Sequence, residues 1–374
     1  MFDFLIAGVQ APWPLLVFTG FTVGVVGGFI GVGGGYMVTP ALIVFGFPGY
    51  LASGIDMTHI AAKGIVATVR HRQMGNIDWT LAMSMVAGTM FGVELGVRLL
   101  GYFKAMGLSS IAVLIASLAL MLGLFVYTQS ETRKSHKEME RMMREGKELG
   151  REQTSSSLPR TFQAIPLAPI VRCRTARVVV SMWVIVLVGL ATGLLAGFLG
   201  VGGGFIRVPA LVYMIGASTH IAVGTDLVEI IFSGGYGCLR HTIEGNVDFI
   251  AVMFMLSGAM FGAQFGSIAT AYVRGPAIRY ILSYSLMLAA LGAALPLGNL
   301  LTGGRFPILS AFALILTLGQ MIFLCCFIIG MLFFAWRRGQ SRWVPDWAVP
   351  LLVTEVLVKE PRKAASLGKE AVVA

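Results

Sequence analysis

Ionisable residues inside long apolar runs are where this 374-residue chain could do chemistry. Asp56, His59 and Lys63 lie within the apolar run 51–69. At about 100° per helical residue they point to roughly 0°, −60° and −20°, one face. Asp226, Glu229 and Ser233 form a similar face within the run 218–239. An ionisable group in lipid costs at least about 2.5–3.5 kcal/mol unless it pairs or lines water. The chemistry on offer is ion binding and proton transfer, with His59 and Glu229 as a protonatable pair. The alternative is a self-neutralising cluster that locks neighbouring helices together. Asp56 and Asp226 each stand two residues after a Gly and also read as N-terminal caps. Lys63 is an anion-binding candidate, or a lysine that snorkels to the surface. Arg207 is a second cationic candidate.

Two glycine clusters precede these faces, Gly33-Gly34-Gly35 and Gly202-Gly203-Gly204. Neither is a nucleotide motif: the Gly31-x-Gly33 pattern ends in Tyr36 rather than Gly, and no Gly-Lys-Ser/Thr follows. Successive glycines leave backbone N–H groups unshielded, next to a helix start whose dipole end is positive. That arrangement suits an anion. Close helix packing is the competing reading. Pro40 fits the first turn of a new short helix, with Thr39 as its N-cap.

The elements that hold these residues come twice. Gly24–Leu42 aligns with Gly193–Leu211 with 11 of 19 positions identical at an offset of 169. At an offset of 170, Arg70-His71…Gly75-Asn76-Ile-Asp78 meets Arg240-His241…Gly245-Asn246-Val-Asp248, and Gly88-Thr-Met-Phe-Gly92 meets Gly258-Ala-Met-Phe-Gly262. Gly75-Asn76 and Gly245-Asn246 suit a turn and cap before the next span. Apolar runs at 13–30, 51–69, 77–97 and 107–127 recur at 178–199, 218–239, 247–271 and 276–298, and a further run spans 308–336. Each has roughly the 20 residues that cross a bilayer.

The chain is 56% hydrophobic and 12% charged, with 47 glycines and a mean hydropathy of +0.82. This excludes an ordinary water-soluble enzyme. The net charge of +10 is distributed in the manner of a membrane protein rather than a nucleic-acid binder. If each Gly-rich break crosses together with its short helix, the two units are inverted. Then 22 of the 28 Lys and Arg fall on one side, 4 on the other, and Lys63 and Arg207 lie within apolar segments. A re-entrant break would make the units parallel and divide the charges almost evenly, so the positive-inside rule favours inversion.

The expected fold is an all-α polytopic integral membrane protein with two duplicated, inverted helical units, each with a Gly-rich broken helix, plus one extra C-terminal helix. Its divisions are 1–127, first membrane repeat; 128–177, charged cytoplasmic loop; 178–300, second repeat; 301–336, extra transmembrane helix; and 337–374, cytoplasmic tail. In the loop, Glu140/Arg144, Arg141/Glu145 and Arg144/Glu148 are i,i+4 pairs on a solvated helix. Met139, Met142 and Met143 give it a small apolar side, and residues 154–169 read as linker. Glu94 and Arg98 form another i,i+4 pair that neutralises itself. The first ten residues hold Asp3 and no Lys or Arg, so no cleavable signal peptide is expected. Cys173, Cys238, Cys325 and Cys326 form no CxxC pair and read as small apolar residues. No catalytic triad, metal cage or cofactor motif is legible.

The doubled Gly-Phe-Ile/Leu-Gly-Val-Gly-Gly-Gly…Pro-Ala-Leu motif, Gly224-Thr-Asp-Leu227 and Gly245-Asn-Val-Asp248 resemble the sulfite exporter TauE/SafE family, also called the 4-toluene sulfonate uptake permease family. The resemblance covers about 15–127 and 180–298 and leaves out the charged loop, the last run and the tail. It implies secondary transport of sulfite, sulfonates, thiosulfate or related small anions across the inner membrane. Export is the expected direction, with proton-coupled uptake or an anion channel as alternatives; a membrane enzyme or respiratory subunit would need cofactor ligands. The glycines, Lys63 and Arg207 are the expected substrate site. Asp56, His59, Asp226 and Glu229 are expected in coupling or gating. Expected partners are the anion, the bilayer, protons and a second copy of the chain, with no nucleic acid, metal or cofactor.

Overall fold

The structure is a computed structural model that describes residues 2–4, 8–31, 34–144, 167–302, 305, 307–340, 343–345, 348 and 351–352. Two β-hairpin strands, β1 (Phe2–Phe4) and β2 (Val9–Ala11), precede α1 (Trp13–Ile30), α2 (Gly35–Val44), α3 (Gly49–Gln73), α4 (Trp79–Ala105) and α5 (Ser109–Arg144). A second hairpin, β3 (Ile170–Cys173) and β4 (Val178–Ser181), leads to α6 (Met182–Leu199), α7 (Gly204–Ala210) with a π-helical turn Leu211–Ile215, α8 (Thr219–Ile243), α9 (Phe249–Tyr272) and α10 (Gly275–Leu301). The last helix is α11 (Pro307–Gly339). Apart from the two short hairpins and one isolated bridge, the described residues form a helical membrane protein.

Local sequence explains where the helices break. α1 and α6 end at Gly31 and Gly200 in left-handed conformation, φ 79° and 76°, which glycine adopts without a Cβ clash. α2 and α7 start just after Gly34 and Gly203, both at φ 72°. Pro40 and Pro209 therefore lie inside their helices rather than at their starts, and Thr39 is not a cap. The caps of α4 and α9 are Asp78 and Asp248, which accept from backbone N–H groups at 3.0–3.1 Å; the preceding asparagines do not cap. Asp56 and Asp226 lie well inside α3 and α8, which excludes capping for both.

Among the described residues, seven helices are long and apolar enough to cross a membrane: α1, α4, α5, α6, α9, α10 and α11. α3 and α8 are not among them, because their polar residues lower the hydropathy; their polar faces turn inward and Ile65, Val69, Phe232 and Leu239 stay exposed. α5 continues past the expected end at 127 without a break to Arg144. The ion pairs that involve Glu145 and Glu148, the side chains of Met139, Met142 and Met143, and most of the 154–169 linker lie outside the described residues.

Glycine sets the packing. α1 and α9 run parallel, with Gly20, Gly24 and Gly28 against the backbone of Met255, Ala259 and Ala263, and Gly258, Gly262 and Gly266 against Val17, Phe21 and Val25. α4 and α6 repeat the pattern, with Gly88, Gly92 and Gly96 against Val186, Leu190 and Leu194. This is small-xxx-small packing. Each seam joins the first helix of one half to the third long helix of the other. Meanwhile α3 and α8 run antiparallel: Gly54 lies against Asn246, Ala61 against Gly234 and Asn76 against Gly224. α5 and α10 do the same, with Leu114 beside Ala293 and Leu297, and Gln129 bonded to Tyr284 at 3.1 Å.

α2 begins beside Val23, in the middle of α1, and ends beside Val9, so it returns the chain to the end where α1 began. From there the long helices alternate. One end of the bundle holds Lys104 and Arg240; the other holds Arg70, Arg72, the β3–β4 hairpin and Arg274, whose N–H meets Leu351 of the tail at 2.9 Å. Exposed Trp13 and Tyr102 mark the first end, and exposed Trp79, Trp183 and Trp336 the second, as aromatic belts do.

Two outcomes test this packing. A Cβ at Gly92 would stand 2.3 Å from the Leu190 carbonyl oxygen, and one at Gly193 2.2 Å from that of Thr89. Gly92→Ala or Gly193→Ala should cost about 1–3 kcal/mol of stability, read as a lower unfolding temperature in detergent. Gly123 faces open space, so Gly123→Ala should stabilise by about 0.5–1 kcal/mol. In a background without native cysteines, Cys at Gln10 should react with an impermeant maleimide in intact cells, and Cys at Arg141 only after permeabilisation. Labelling of both in intact cells would overturn the placement.

Candidate functional site

α3 and α8 cross at the centre of the bundle, and their polar faces are fully covered. Asp56, His59, Asp226, Glu229 and Arg207 have no exposed surface, and Lys63 is 3% exposed. The two Gly-rich elements meet here. Tyr36 and Phe205, equivalent under the 169-residue offset, touch with ring centroids 5.9 Å apart. A Cβ on Gly35 would come within 2.7 Å of Val201 Cα and 2.8 Å of Asp56 Oδ2. The glycines therefore let the two loops and α3 approach to backbone distance. Gly34 is crowded by Val23, and Gly203 by Arg207 and the Thr192 carbonyl, both at positive φ. Bulky substitution at either would disturb the fold as well as any ligand, so it does not separate the two readings of the motif. Gly202 packs on Ile60, Gly204 starts α7, and Gly33 lies outside the described residues.

The two halves use their charges differently. In the first, Asp56 Oδ2 accepts from Thr39 Oγ1 at 2.9 Å, and the same hydroxyl reaches the Leu199 carbonyl at 3.1 Å. His59 Nδ1 stands 3.6 Å from Asp56 Oδ1, and neither ring nitrogen has a hydrogen-bond partner among the described residues. Lys63 Nζ likewise has none. Its side chain lies in a narrow gap lined by Gly27, Gly28, Ile60, Ala67, Leu227 and Ala263. It does not snorkel to the surface.

In the second half the cation is committed. Arg207 Nη1 donates to Asp226 Oδ1 at 2.9 Å and also contacts Glu229 Oε2. Its Nε reaches Thr192 Oγ1 and its Nη2 the Gly202 carbonyl, both at 3.4 Å. Ser233 Oγ donates to Glu229 Oε2 at 3.1 Å. Sequence reasoning paired Glu229 with His59 and gave Arg207 to the anion; the structure instead sets Glu229 and Asp226 on Arg207 and His59 beside Asp56, a bridge missed because Arg207 reaches the acids across a broken helix.

Other polar contacts position the site. His71 and His241, 170 residues apart, donate from Nε2 to the Gly28 and Gly197 carbonyls at 3.4 and 3.1 Å. They tie the ends of α3 and α8 to the glycine seams. Glu94 takes Arg98 at 2.7 Å, as expected, but also Arg240 at 2.5 Å and Tyr236 at 2.9 Å from α8. Lys104 bridges Asn246 Oδ1 at 2.6 Å and the Glu244 carbonyl at 2.9 Å. Among the described residues, no three His, Cys, Asp or Glu are grouped to hold a metal ion. An uncommitted buried ammonium beside a buried imidazole can bind an anion; two carboxylates on one guanidinium can exchange a proton.

The sulfite exporter TauE/SafE family profile matches residues 16–295, which includes every helix from α2 to α9 and most of α1 and α10. The chain is 26% identical to the probable membrane transporter protein YunE of Bacillus subtilis, over 68% of this chain and 86% of that protein. It is 23% identical to YdhB of the same organism, over 68% and 88%, and 24% identical to a probable membrane transporter protein of Methanocaldococcus jannaschii, over 65% and 79%. No solved structure matches the chain. A helical, multi-pass chain whose relatives are probable membrane transporters, and whose family profile spans both halves, is a membrane transporter of the sulfite exporter TauE/SafE family.

Proposed function

We propose that this transporter is a secondary carrier of a small anion of the sulfite, sulfonate or thiosulfate class. The observation that carries the reading is Lys63: a buried ammonium without a hydrogen-bond partner among the described residues, on the same helix face as His59. A group of that kind is stable in lipid only with a counter-charge or water. The family description supplies the anion class. Arg207, already engaged by Asp226 and Glu229, is a weaker site for an anion than its sequence position suggests.

Charge distribution supports a plasma-membrane placement with the 128–177 loop and the tail on the cytoplasmic side. The antiparallel pairing of α3 with α8 and of α5 with α10 supports an inverted repeat, with 1–127 and 178–300 as its units. Export is the simplest direction. An inside-negative potential contributes about 2.3 kcal/mol per charge per 100 mV. Expulsion of a divalent anion gains about 4.6 kcal/mol, a gradient of roughly 2,000-fold, with no coupling ion. Proton-coupled uptake is the second reading, favoured by the excess of buried carboxylates over cations.

Flux of sulfite, thiosulfate, taurine, sulfoacetate and lactate into proteoliposomes tests the substrate class, and counterflow separates a carrier from a channel. Lys63→Met should raise the half-saturating concentration of the transported anion by tens of fold, equivalent to about 2 kcal/mol for a charge-assisted hydrogen bond. Lys63→Arg should keep part of the affinity, because the charge stays and the geometry changes. Wild-type affinity in both variants would make Lys63 structural.

A further inference from the structure

The buried charges of the core do not cancel. α3 supplies one carboxylate, Asp56, and one ammonium, Lys63; α8 supplies two carboxylates, Asp226 and Glu229, against the single guanidinium of Arg207. With His59 neutral, the set carries one excess negative charge. The excess sits on the α8 side. Asp226 Oδ1 and Glu229 Oε2 both contact the same Arg207 nitrogen, so the two carboxylates stand side by side. Their other oxygens, Asp226 Oδ2 and Glu229 Oε1, are buried and have no hydrogen-bond partner among the described residues.

Among the described residues, Arg207 is the cation set against the pair; α10, which also packs on α8, carries the buried Arg279, whose guanidinium stands 5.9 Å over the Tyr213 ring. α6 presents Thr192, α7 presents Arg207, and α8 itself presents Ser233. α4 presents Thr89, while its acid, Glu94, is held by Arg98, Tyr236 and Arg240. α3 meets α8 beside the pair through Gly64, which lies against Leu227, Ile230 and Ile231. Its ionisable groups Asp56, His59 and Lys63 form the other cluster, and His241 is bonded to the Gly197 carbonyl. Adjacent carboxylates that share one counter-charge in a dry site do not both stay ionised.

We infer that Asp226 and Glu229 together hold one exchangeable proton, and that this site couples proton movement to the anion carried at Lys63. This deepens the second, proton-coupled reading of the proposed function and rests on it for the coupling, not for the proton. The two halves thus divide the work: the first binds the anion, the second the proton. The proton belongs to the pair rather than to one residue. It enters from and leaves to the aqueous side that the site faces, and no covalent bond is made.

Two measurements on the full chain test the proposal separately from the transport reading. In membranes at neutral pH, infrared spectroscopy should show a protonated carboxyl C=O band that shifts in D2O and is lost in Glu229→Gln or Asp226→Asn. In proteoliposomes with the potential clamped at zero, a pH difference of one unit should drive up to about tenfold accumulation of sulfite or thiosulfate per coupled proton. In either variant the accumulation should vanish, while counterflow exchange still proceeds. Two isosteric variants guard against a folding defect in one. A wild type without the infrared band, or accumulation that persists in both variants, overturns the proton site. A wild type that shows the band but moves none of the anions overturns the transport reading and the coupling, and leaves the proton in place.

Discussion

Six ionisable side chains at the centre of an apolar bundle impose the constraint on which the rest of this structure depends. The polar faces of α3 and α8 cannot face lipid, so the apolar helices around them must shield those faces, while Ile65, Val69, Phe232 and Leu239 stay exposed on the outer sides. The shielding is close because glycines line the seams. α1 rests on α9 and α4 on α6 at backbone distance, and these two seams flank the α3–α8 crossing. His71 and His241 then fasten each polar helix to a seam carbonyl. Removal of a glycine loosens the wall; removal of a charge partner leaves an uncompensated ion behind it.

The broken elements serve the same constraint. A continuous helix from 13 to 44 would carry its backbone away from α3. The left-handed glycines turn α2 back, so that Thr39 reaches both Asp56 and the Leu199 carbonyl of the other half. The equivalent turn brings Arg207 onto Asp226 and Glu229. Both halves thus deliver one polar group from the second half-helix to an aspartate, Asp56 in one and Asp226 in the other. They differ in its charge, a hydroxyl in one case and a guanidinium in the other, and this difference separates an uncommitted Lys63 from a committed Arg207.

Sequence periodicity was enough to see the polar faces, because 100° per residue holds along an unbroken helix such as α3 or α8. It could not see the Arg207 bridge, which spans a helix break and a π-turn that no local pattern specifies. The four-residue glycine spacing of 20, 24, 28 and 88, 92, 96 was visible, but not its pairing, since each seam crosses between halves. The Glu94 network was half legible: Arg98 is one turn away, while Tyr236 and Arg240 come from a distant helix. The length of α5 was hidden by the change from apolar to charged residues after Tyr127, which resembles a boundary although the helix carries on.

That continuous helix has a mechanical side. α5 has 36 residues, about 54 Å at 1.5 Å per residue, against a hydrocarbon core of roughly 30 Å. It is a single stiff rod, partly in lipid and partly beyond it. Within the bundle, its Tyr127 and Thr132 grip Tyr213 on the π-turn behind α7, with ring centroids 5.4 Å apart and hydroxyls 3.1 Å apart. A force applied to the projecting end acts through a lever arm, and at Thr132 it bears on Tyr213, six residues beyond Arg207.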